Sequence, residues 1–196
     1  MSPRAGLTVE KIVLAAAELA DEVGFENITV SALARKFDVK DASLYSHIKN
    51  IKDLRGRVSI LAAEEKTDLI ADAVAGLAGR DALAAYANGW RQYALTHPGR
   101  YAATQVPLNP AVATVWPGWR RGVDLTYGML RAYGLDEPDL TDAVRLLRST
   151  FHGYTSLEAS GGFGHSRPTE ASWERIIDAL HITLQQWPST DNEEQK

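Results

Sequence analysis

The fold of this chain is decided by the stretch TVSALARKFDVKDASLYSHI, residues 29–48. Apolar residues at helical spacing on either side of Asp38 predict two short helices joined by a turn of three to four residues. Ala34 is small enough to let these helices cross closely. The side chains expected to pack between them are Leu33, Phe37, Val39 and Leu44. The arrangement predicts a helix-turn-helix, whose second helix is free to enter the major groove of DNA.

The second helix of this motif carries hydrogen-bonding groups of short reach on its outward side. The expected outward residues are Lys40, Asp41, Ala42, Ser43, Tyr45 and His47, while Leu44 and Ile48 face inward. Asp41 has two interpretations: its carboxylate either accepts from a cytosine amino group or favours the helix N-terminus. Helical hairpins with a basic face also occur in proteins that bind no DNA, so spacing alone leaves a purely structural role open.

Capping residues place the neighbouring helices. The predicted N-caps are Thr8, Thr29 and Asn50. Gly24 is expected to supply a left-handed stop after the first helix, which begins at about Val9. Ile28 is expected to pack on Leu33 as a hydrophobic staple.

The rest of the chain also shows helical spacing, and no segment shows sustained period-two alternation. Further helices are predicted over residues 51–75, up to Pro98, through Tyr101, over about 111–133, and over two apolar stripes at 140–157 and 173–187. Gly76, Gly79 and Gly134 are expected to end helices, and Pro117 is expected to start or kink one. The predicted fold class is all-α, with about nine helices.

These elements predict three parts: a helix-turn-helix DNA-binding domain at 1–55, a helical regulatory and dimerisation domain at 56–187, and a disordered tail at 188–196. The helix over 51–75 is the long rigid element between the first two parts. Its residues Leu61, Leu69 and Ala73 are expected to face the second domain.

Composition narrows the class of protein. With 196 residues, 45% of them apolar, the chain can fill a core, and 15 glycines with 8 prolines are ordinary for a globular protein. No cysteine is present, which excludes disulfides, thiolate metal sites and a cysteine nucleophile. The N-terminal stretch does not resemble a secretory signal, so a cytoplasmic location is expected. The uncharged stretch 101–119 contains Pro107, Pro110 and Pro117 and is rejected as a membrane span.

Charge is unevenly distributed along the chain. The net charge is −4, yet residues 35–57 hold seven bases and three acids, a local charge of +4. A short basic segment on an acidic remainder is typical of a nucleic-acid-binding head on a separate body. A solvated helix face is the alternative on charge alone.

Enzyme and cofactor motifs are missing from the sequence. There is no dinucleotide-binding glycine pattern after a strand, no phosphate-binding loop and no Gly-x-Ser-x-Gly elbow. No two histidines are spaced for a helical metal site. Glu64, Asp68 and Asp72 share one helix face and are interpreted as solvated. The sequence predicts no enzyme, no cofactor and no metal.

The residues around the motif resemble the TetR family of bacterial transcriptional repressors. The resemblance covers Thr8 to about Leu54 and is carried by GFENITV at 24–30, ARKFDV at 34–39 and SLYSHI at 43–48. It implies that Thr29, Tyr45 and His47 contact DNA phosphates, while the start of the recognition helix reads bases.

Three positions depart from the family pattern. Asp38 stands where the family usually has glycine, Lys40 where it often has a small polar cap, and Ile51 where it usually has a phosphate-binding lysine. Lys49 or Lys52 is expected to replace that lysine.

The C-terminal part resembles family members with a Trp-His-Gly type regulatory domain, through FHGY at 151–154, Leu157-Glu158 and GGF at 161–163. The resemblance implies a homodimer formed through the last two long helices and a small-molecule effector pocket among the preceding ones. The wide apolar stripes of those two helices fit such an interface independently, although an intramolecular core is their alternative.

An aromatic set lies in this part of the chain: Trp90, Tyr93, Tyr101, Trp116, Trp119, Tyr127, Phe151, His152 and Tyr154. All of these except Tyr101 form the predicted effector pocket. A single ring at helical spacing is more often core than ligand contact, but the group indicates an apolar or aromatic effector.

Two classes of function remain at this point. The favoured one is a ligand-responsive DNA-binding regulator, a repressor released from a palindromic double-stranded operator by its effector, with no membrane partner. The other is an all-helical binding protein or enzyme that uses the helix-turn-helix only as scaffold.

Overall fold

The computed structural model describes residues 6–107 and 117–188. Within those residues the chain forms nine α-helices, two short 3₁₀ helices and no strand, which confirms the all-α prediction. The α-helices are α1 (Val9–Val23), α2 (Val30–Lys36), α3 (Asp41–Leu44), α4 (Ile51–Val74), α5 (Gly79–Thr96), α6 (Pro98–Thr104), α7 (Pro117–Leu130), α8 (Asp139–Ala159) and α9 (Thr169–Gln185). No helix in the described part of the chain is long and apolar enough to cross a membrane.

The predicted helix starts are confirmed. Thr8 Oγ1 accepts a hydrogen bond from the Lys11 N–H at 3.3 Å, and Thr29 Oγ1 accepts one from the Ala32 N–H at 3.2 Å. Asn50 Oδ1 accepts from the Asp53 N–H at 2.9 Å, while the Asp53 carboxylate accepts from the Lys49 N–H at 3.1 Å. These bonds satisfy N–H groups that have no partner within the first turn of a helix.

The end of α1 differs from the prediction in one respect. Gly24 has the expected positive φ of 90°, and its N–H donates to the Ala20 carbonyl at 2.8 Å. Its ψ of 144° lies outside the left-handed helical region, so Gly24 ends the helix in a different positive-φ conformation. The chain instead continues into a 3₁₀ helix over Phe25–Asn27.

The turn between α2 and α3 is a Schellman motif. The Val39 N–H donates to the Ala34 carbonyl at 3.0 Å and the Asp38 N–H donates to the Arg35 carbonyl at 3.2 Å. This pattern requires a left-handed residue after the helix, and Asp38 has a φ of 52°. The aspartate therefore takes the conformation for which the family pattern has glycine.

The later helices also follow the prediction where the structure describes them. Gly76, Gly79 and Gly134 have positive φ values at helix boundaries, and Pro98 occupies the first turn of α6. The helix predicted over about 111–133 is represented by α7 and a 3₁₀ turn at Arg131–Tyr133. Residues 111–116 of that prediction and residues 189–196 of the predicted tail lie outside the described residues.

Internal contacts divide the chain into two compact units. The first comprises Met1–Leu69 and Gln92–Gly122, and the second comprises Ile70–Arg91 and Val123–Lys196. Both units are assembled from segments that are distant in sequence. The functional division predicted at residue 55 is a separate question and stays a prediction.

The first unit has a core of small and aliphatic side chains. Ile12, Ala16, Leu33, Leu44 and Leu54 have at most 2% of their surface exposed. Leu61 of α4 also packs against this core, Leu69 lines a cleft with residues of α5 and α6, and Ala73 is exposed. That these three residues face the predicted second domain stays a prediction.

The second unit is built around five rings, called here the ring cluster: Tyr86, Trp90, Phe151, Tyr154 and Trp173. The Phe151 ring lies 6.2 Å from Tyr86, 6.0 Å from Trp90 and 5.5 Å from Trp173, measured between centroids. Tilted pairs at these distances are favourable for aromatic side chains.

Candidate nucleic-acid interface

The recognition helix α3 is short and is held from its inner side. Leu44 is fully buried and Ile48 is 2% exposed, as predicted. Beyond Leu44 the chain continues in turns, because the His47 and Ile48 N–H groups both donate to the Leu44 carbonyl, at 2.9 and 3.1 Å. A helix of four residues cannot orient itself by its own hydrogen bonds, so its direction depends on these two buried side chains.

The structure places the predicted outward residues of this segment at the surface. Lys40, Asp41, Ala42, Ser43 and Tyr45 are exposed, and His47 is half-buried. Thr29, at the start of α2, is exposed as well. Lys40 is the N-cap of α3, and its side chain makes no capping bond, because an ammonium group has no acceptor for a backbone N–H.

Asp41 has an internal partner that the sequence did not reveal. Ser31 Oγ, on α2, donates to Asp41 Oδ2 at 2.6 Å. The bond ties the first turn of α3 to α2 across the turn. Ser31 was missed because the two residues are ten positions apart and belong to different helices, so no helical period relates them.

The seven bases of the basic segment fall into two groups. Three are paired: Lys36 Nζ lies 2.9 Å from Glu18, Arg55 Nη1 lies 3.2 Å from Glu26, and Arg57 Nε lies 3.2 Å from Asp53. The other four are called here the free basic set: Arg35, Lys40, Lys49 and Lys52. Over residues 6–107 and 117–188, no carboxylate lies within 4.0 Å of their charged groups, and all four are exposed.

The departure from the family pattern at Ile51 is explained by the place of its side chain. This side chain is apolar and half-buried, and it packs against the core of the first unit, so it cannot contact a DNA phosphate. Lys49 and Lys52 flank it and are exposed. They hold the positive charge of this helix start at the surface.

The aromatic set is divided in the structure. Trp90, Phe151 and Tyr154 belong to the ring cluster, together with Tyr86 and Trp173, which the sequence did not single out as ligand contacts. Tyr127 is half-buried and His152 is exposed. Trp116 and the side chain of Trp119 lie outside the described residues. The role of these residues in effector binding stays a prediction.

Tyr93 lies in the first unit, beside a cleft. The cleft has a volume of about 280 Å³ and is lined by Glu65, Leu69, Gln92, Tyr93, Thr96, His97 and Arg100. Tyr93 Oη donates to Glu65 Oε2 at 2.9 Å, and burial together with the Glu65 charge raises the pKa of the Tyr93 hydroxyl. Tyr93 therefore stays a neutral donor.

Polar bonds connect this cleft to α1. Arg100 Nη1 donates to Glu65 at 3.1 Å, and the Arg100 N–H donates to Asp21 Oδ1 of α1 at 2.8 Å. Asp21 Oδ2 also lies 3.2 Å from His97 Nδ1. Gly99 permits this approach, because a Cβ there would lie 1.9 Å from the Ala20 carbonyl oxygen. Helix α6 therefore contacts the backbone of the first helix directly.

The second unit contains a comparable ion-pair centre. Arg91 donates to both carboxylate oxygens of Glu158 at 2.7 Å and also to Glu170. Its guanidinium carbon lies 5.7 Å from the Trp173 ring centroid. The hydrogen bonds from Arg91 lower the pKa of the Glu158 carboxyl. In the described residues, no group of three or more acidic or histidine side chains is arranged to hold a metal ion.

Comparisons with known proteins agree with this architecture. The family described as bacterial regulatory proteins, tetR family, matches residues 12–58, and the tetracyclin repressor-like C-terminal domain matches residues 83–180. The HTH-type transcriptional regulator YobS of Bacillus subtilis is 33% identical over 185 residues, covering 94% of this chain and 92% of that protein. The regulator Rv0681 of Mycobacterium tuberculosis is 34% identical over 158 residues, covering 80% of this chain and 72% of that protein.

Solved structures show the same fold. A Rhodococcus sp. RHA1 protein of unknown function matches with a TM-score of 0.77 at 22% identity, covering 95% of this chain and all of that one. A TetR variant of Acinetobacter baumannii in complex with minocycline matches at 0.70 and 20%, covering 94% of this chain and all of that one. BioQ with its double-stranded DNA operator matches at 0.63 and 22%, covering 90% of this chain and 99% of that one.

The helix-turn-helix and the matched regulators define this molecule as a DNA-binding transcriptional regulator. The chain belongs to the TetR family of bacterial regulatory proteins. The narrower resemblance of its C-terminal part to the Trp-His-Gly type stays a prediction.

Proposed function

We propose that this protein is a repressor that binds a palindromic operator as a homodimer and is released from it by a small apolar or aromatic molecule. The observation that carries the DNA-binding part is the free basic set beside the exposed α3. Within residues 6–107 and 117–188 these four cations have no carboxylate within 4.0 Å, and next to exposed Ser43 and Tyr45 they supply both phosphate attraction and contacts to base edges. The operator complex of BioQ shows that a regulator of this fold binds double-stranded DNA.

We assign different tasks to the residues of this surface. Thr29, Tyr45, His47, Lys49 and Lys52 contact phosphates and hold the protein on the duplex. Lys40, Ala42 and Ser43 face base edges. Asp41 orients α3 through its bond to Ser31, so Asp41→Asn leaves the sequence preference unchanged.

The homodimer is proposed to form through α8 and α9. Both helices carry large apolar side chains at the surface of the single chain, since Leu157 is 49% exposed and Ile182 is 52% exposed. A two-fold dimer places two recognition helices about one DNA turn apart, roughly 34 to 36 Å, or a multiple of that distance. This symmetry is the reason for a palindromic operator.

The effector class rests on the aromatic residues of the second unit. Tyr127 is half-buried and His152 is exposed, whereas the rings of the ring cluster are at most 8% exposed and would have to move apart to line a pocket with a few polar groups. The minocycline complex shows that a regulator of this fold takes a small molecule. Helix α4 is the proposed coupling element, because its residues up to Leu69 belong to the first unit and Ile70–Val74 to the second.

The experiment that tests the function begins with selection of binding sites from randomised double-stranded DNA. A dimer bound to a palindrome with two half-sites is expected, and tight binding of a monomer to one asymmetric half-site would contradict the proposal. Tyr45→Phe and His47→Ala are expected to weaken binding to all sequences alike. Ser43→Ala and Lys40→Ala are expected to change the preference at one base pair by about 1 to 3 kcal/mol.

Release by an effector is tested separately. A thermal-shift screen of metabolites detects ligands, since one present at 100 times its Kd adds about 2.7 kcal/mol of stability. An inducer must lower operator affinity, typically by about 1 to 3 kcal/mol, and saturating operator must weaken its binding by the same factor. A ligand that binds equally well with and without operator is not the inducer.

A further inference from the structure

Among the seven bases of the basic segment, Arg55 has the most extensive internal contacts. Its Nη2 donates to the Glu26 carbonyl at 2.5 Å and to the Ile28 carbonyl at 3.3 Å, and its Nη1 donates to the Glu26 carboxylate at 3.2 Å. The guanidinium carbon lies 6.0 Å from the Phe25 ring centroid. The planar, multiply donating guanidinium suits several fixed acceptors at once, which an ammonium group cannot match.

We propose that Arg55 is a positioning residue of the DNA-binding head and not one of its phosphate contacts. It fixes the loop before α2 against the start of α4. The proposal rests on the proposed function, because the contacts that Arg55 positions are those assigned above to Thr29, Lys49 and Lys52.

The residues that Arg55 holds explain this role. Ile28, whose carbonyl it binds, directly precedes Thr29 and is fully buried. Arg55 itself lies in the second turn of α4, three residues after Lys52. The same guanidinium therefore links the start of α2 with the start of α4, two sites that are proposed to contact neighbouring phosphates. Their separation must match the DNA backbone, and Arg55 sets that separation.

Lys52 is the matched control. It lies on the same helix, carries the same charge and belongs to the free basic set. Lysine can replace arginine at a phosphate as a point charge, but it cannot reproduce the fork that binds two carbonyls and a carboxylate. The charge-preserving exchange therefore separates the two roles.

The first test measures operator affinity at several salt concentrations for Arg55→Lys, Arg55→Gln, Lys52→Arg and Lys52→Gln. Both Arg55 variants are expected to lose affinity by about tenfold, with the salt dependence of the wild type. Lys52→Arg is expected to keep the salt slope of the wild type, because the positive charge at the phosphate is preserved. Lys52→Gln is expected to reduce the slope of log K against log salt by about 1.8, because each of the two subunits of the bound dimer releases one counterion fewer. Thermal melts of each variant confirm that the head is folded at the temperature of the assay.

Two results would overturn the proposal. In one, Arg55→Lys keeps full operator affinity. In the other, Arg55→Gln reduces the salt slope as Lys52→Gln does. The first result would show that the fork of Arg55 is not needed, and the second would make Arg55 a phosphate contact. Both leave the proposed function intact.

The second test needs no DNA. Amide hydrogen exchange over residues 25–30 of the free protein is expected to be faster in Arg55→Lys than in the wild type, and unchanged in Lys52→Arg. Glu26→Gln, which removes only the negative charge of the Glu26 partner and keeps an acceptor oxygen, is expected to give a smaller increase. Equal exchange in Arg55→Lys and the wild type would overturn the positioning role. Absence of any selective DNA binding by the wild type would instead contradict the proposed function.

Discussion

The two compact units are packed by opposite means. In the first, small residues let helices meet at their backbones: Ala16, Ala17 and Ala20 of α1 are fully buried, and α6 reaches α1 through Gly99. In the second, the ring cluster fills the space between helices with large side chains. The first unit should therefore tolerate no added volume, and the second should tolerate no removed volume.

This difference fits what the first unit has to do. DNA contact requires short helices at fixed positions, and contacts between backbones leave few alternative arrangements. The following variants test the contrast, from the largest expected effect to the smallest.

Phe151→Ala tests the dependence of the second unit on volume. Phe151 is fully buried at the centre of the ring cluster, so its truncation is expected to lower the free energy of unfolding by about 3 to 5 kcal/mol. Urea unfolding measures the loss. The control is Tyr154→Phe, which keeps the ring and removes only the hydrogen bond to the Thr169 carbonyl at 2.6 Å, at a cost of about 1 kcal/mol. A loss for Phe151→Ala no larger than that of the control would refute the dependence on volume.

Gly99→Ala tests the dependence of the first unit on close approach. The added methyl group would meet the Ala20 carbonyl oxygen and carbon at 1.9 and 2.1 Å, and backbone cannot move aside as a side chain can. The expected loss in the free energy of unfolding is about 3 kcal/mol, measured by urea unfolding.

The matched control is Gly89→Ala in the second unit. There the new methyl group would lie 3.2 Å from Ile70 Cγ1, so that side chain has to shift by only a few tenths of an ångström, and alanine is the better helix former. Its stability should stay within about 1 kcal/mol of the wild type. Equal losses of unfolding free energy in Gly99→Ala and Gly89→Ala would contradict the proposed difference in packing between the units.

The contrast also separates what the sequence could predict from what it could not. The starts of three helices could be predicted from Thr8, Thr29 and Asn50, because a capping side chain accepts from an N–H group only three residues away. Leu44 and Ile48 were placed correctly for the same reason, since their inward direction follows from the spacing within one short segment. Such local signals predicted the helix starts and the inner face of α3.

The remaining contacts join residues that are distant in sequence. Arg55 contacts Glu26 across 29 positions, Arg91 contacts Glu158 across 67, and Arg100 contacts Asp21 across 79. No spacing rule relates such pairs, so the division of the basic segment into paired and free cations could not be predicted. The contacts within the aromatic set could not be predicted for a similar reason, because helical spacing does not tell which rings face each other.

Glu158→Gln measures how much the ion pair with Arg91 contributes to the free energy of unfolding. The loss is to be compared with that of Phe151→Ala in the ring cluster. Glu158 accepts two bonds from Arg91, so the variant is expected to lose about 2 kcal/mol at neutral pH. The pKa of Glu158 is lowered in the folded state, chiefly by these bonds. Its contribution is therefore complete above the pKa of the unfolded chain, about 4.3, and is lost as the pH falls through the lower folded value.

Urea unfolding of the wild type and Glu158→Gln between pH 7 and pH 2.5 measures this contribution. The difference between them should shrink towards zero at the acid end. Glu174→Gln is the control, since Glu174 is 46% exposed and lies 3.8 Å from Arg80. It should change stability by less than about 1 kcal/mol. A gap between wild type and Glu158→Gln that is independent of pH would exclude the proposed charge contribution.

Asp38 gives the smallest expected effect and tests the turn of the helix-turn-helix. Its φ of 52° is unfavourable for a residue with a side chain, although aspartate tolerates it better than most. Asp38→Gly removes this strain and is expected to stabilise the protein by up to about 1 kcal/mol, partly offset by the greater freedom of glycine in the unfolded chain. Asp38→Ala keeps the strain without the local polar group and is expected to lose about 1 kcal/mol.

Urea unfolding should therefore give a free energy of unfolding that is highest for the glycine variant, lower for the wild type and lowest for the alanine variant. Operator affinity should be unchanged in the glycine variant, because Asp38 faces no proposed contact. If the alanine variant is as stable as the wild type, the left-handed turn does not form in solution, and the orientation of α3 must be set by Leu44, Ile48 and the Ser31–Asp41 bond alone.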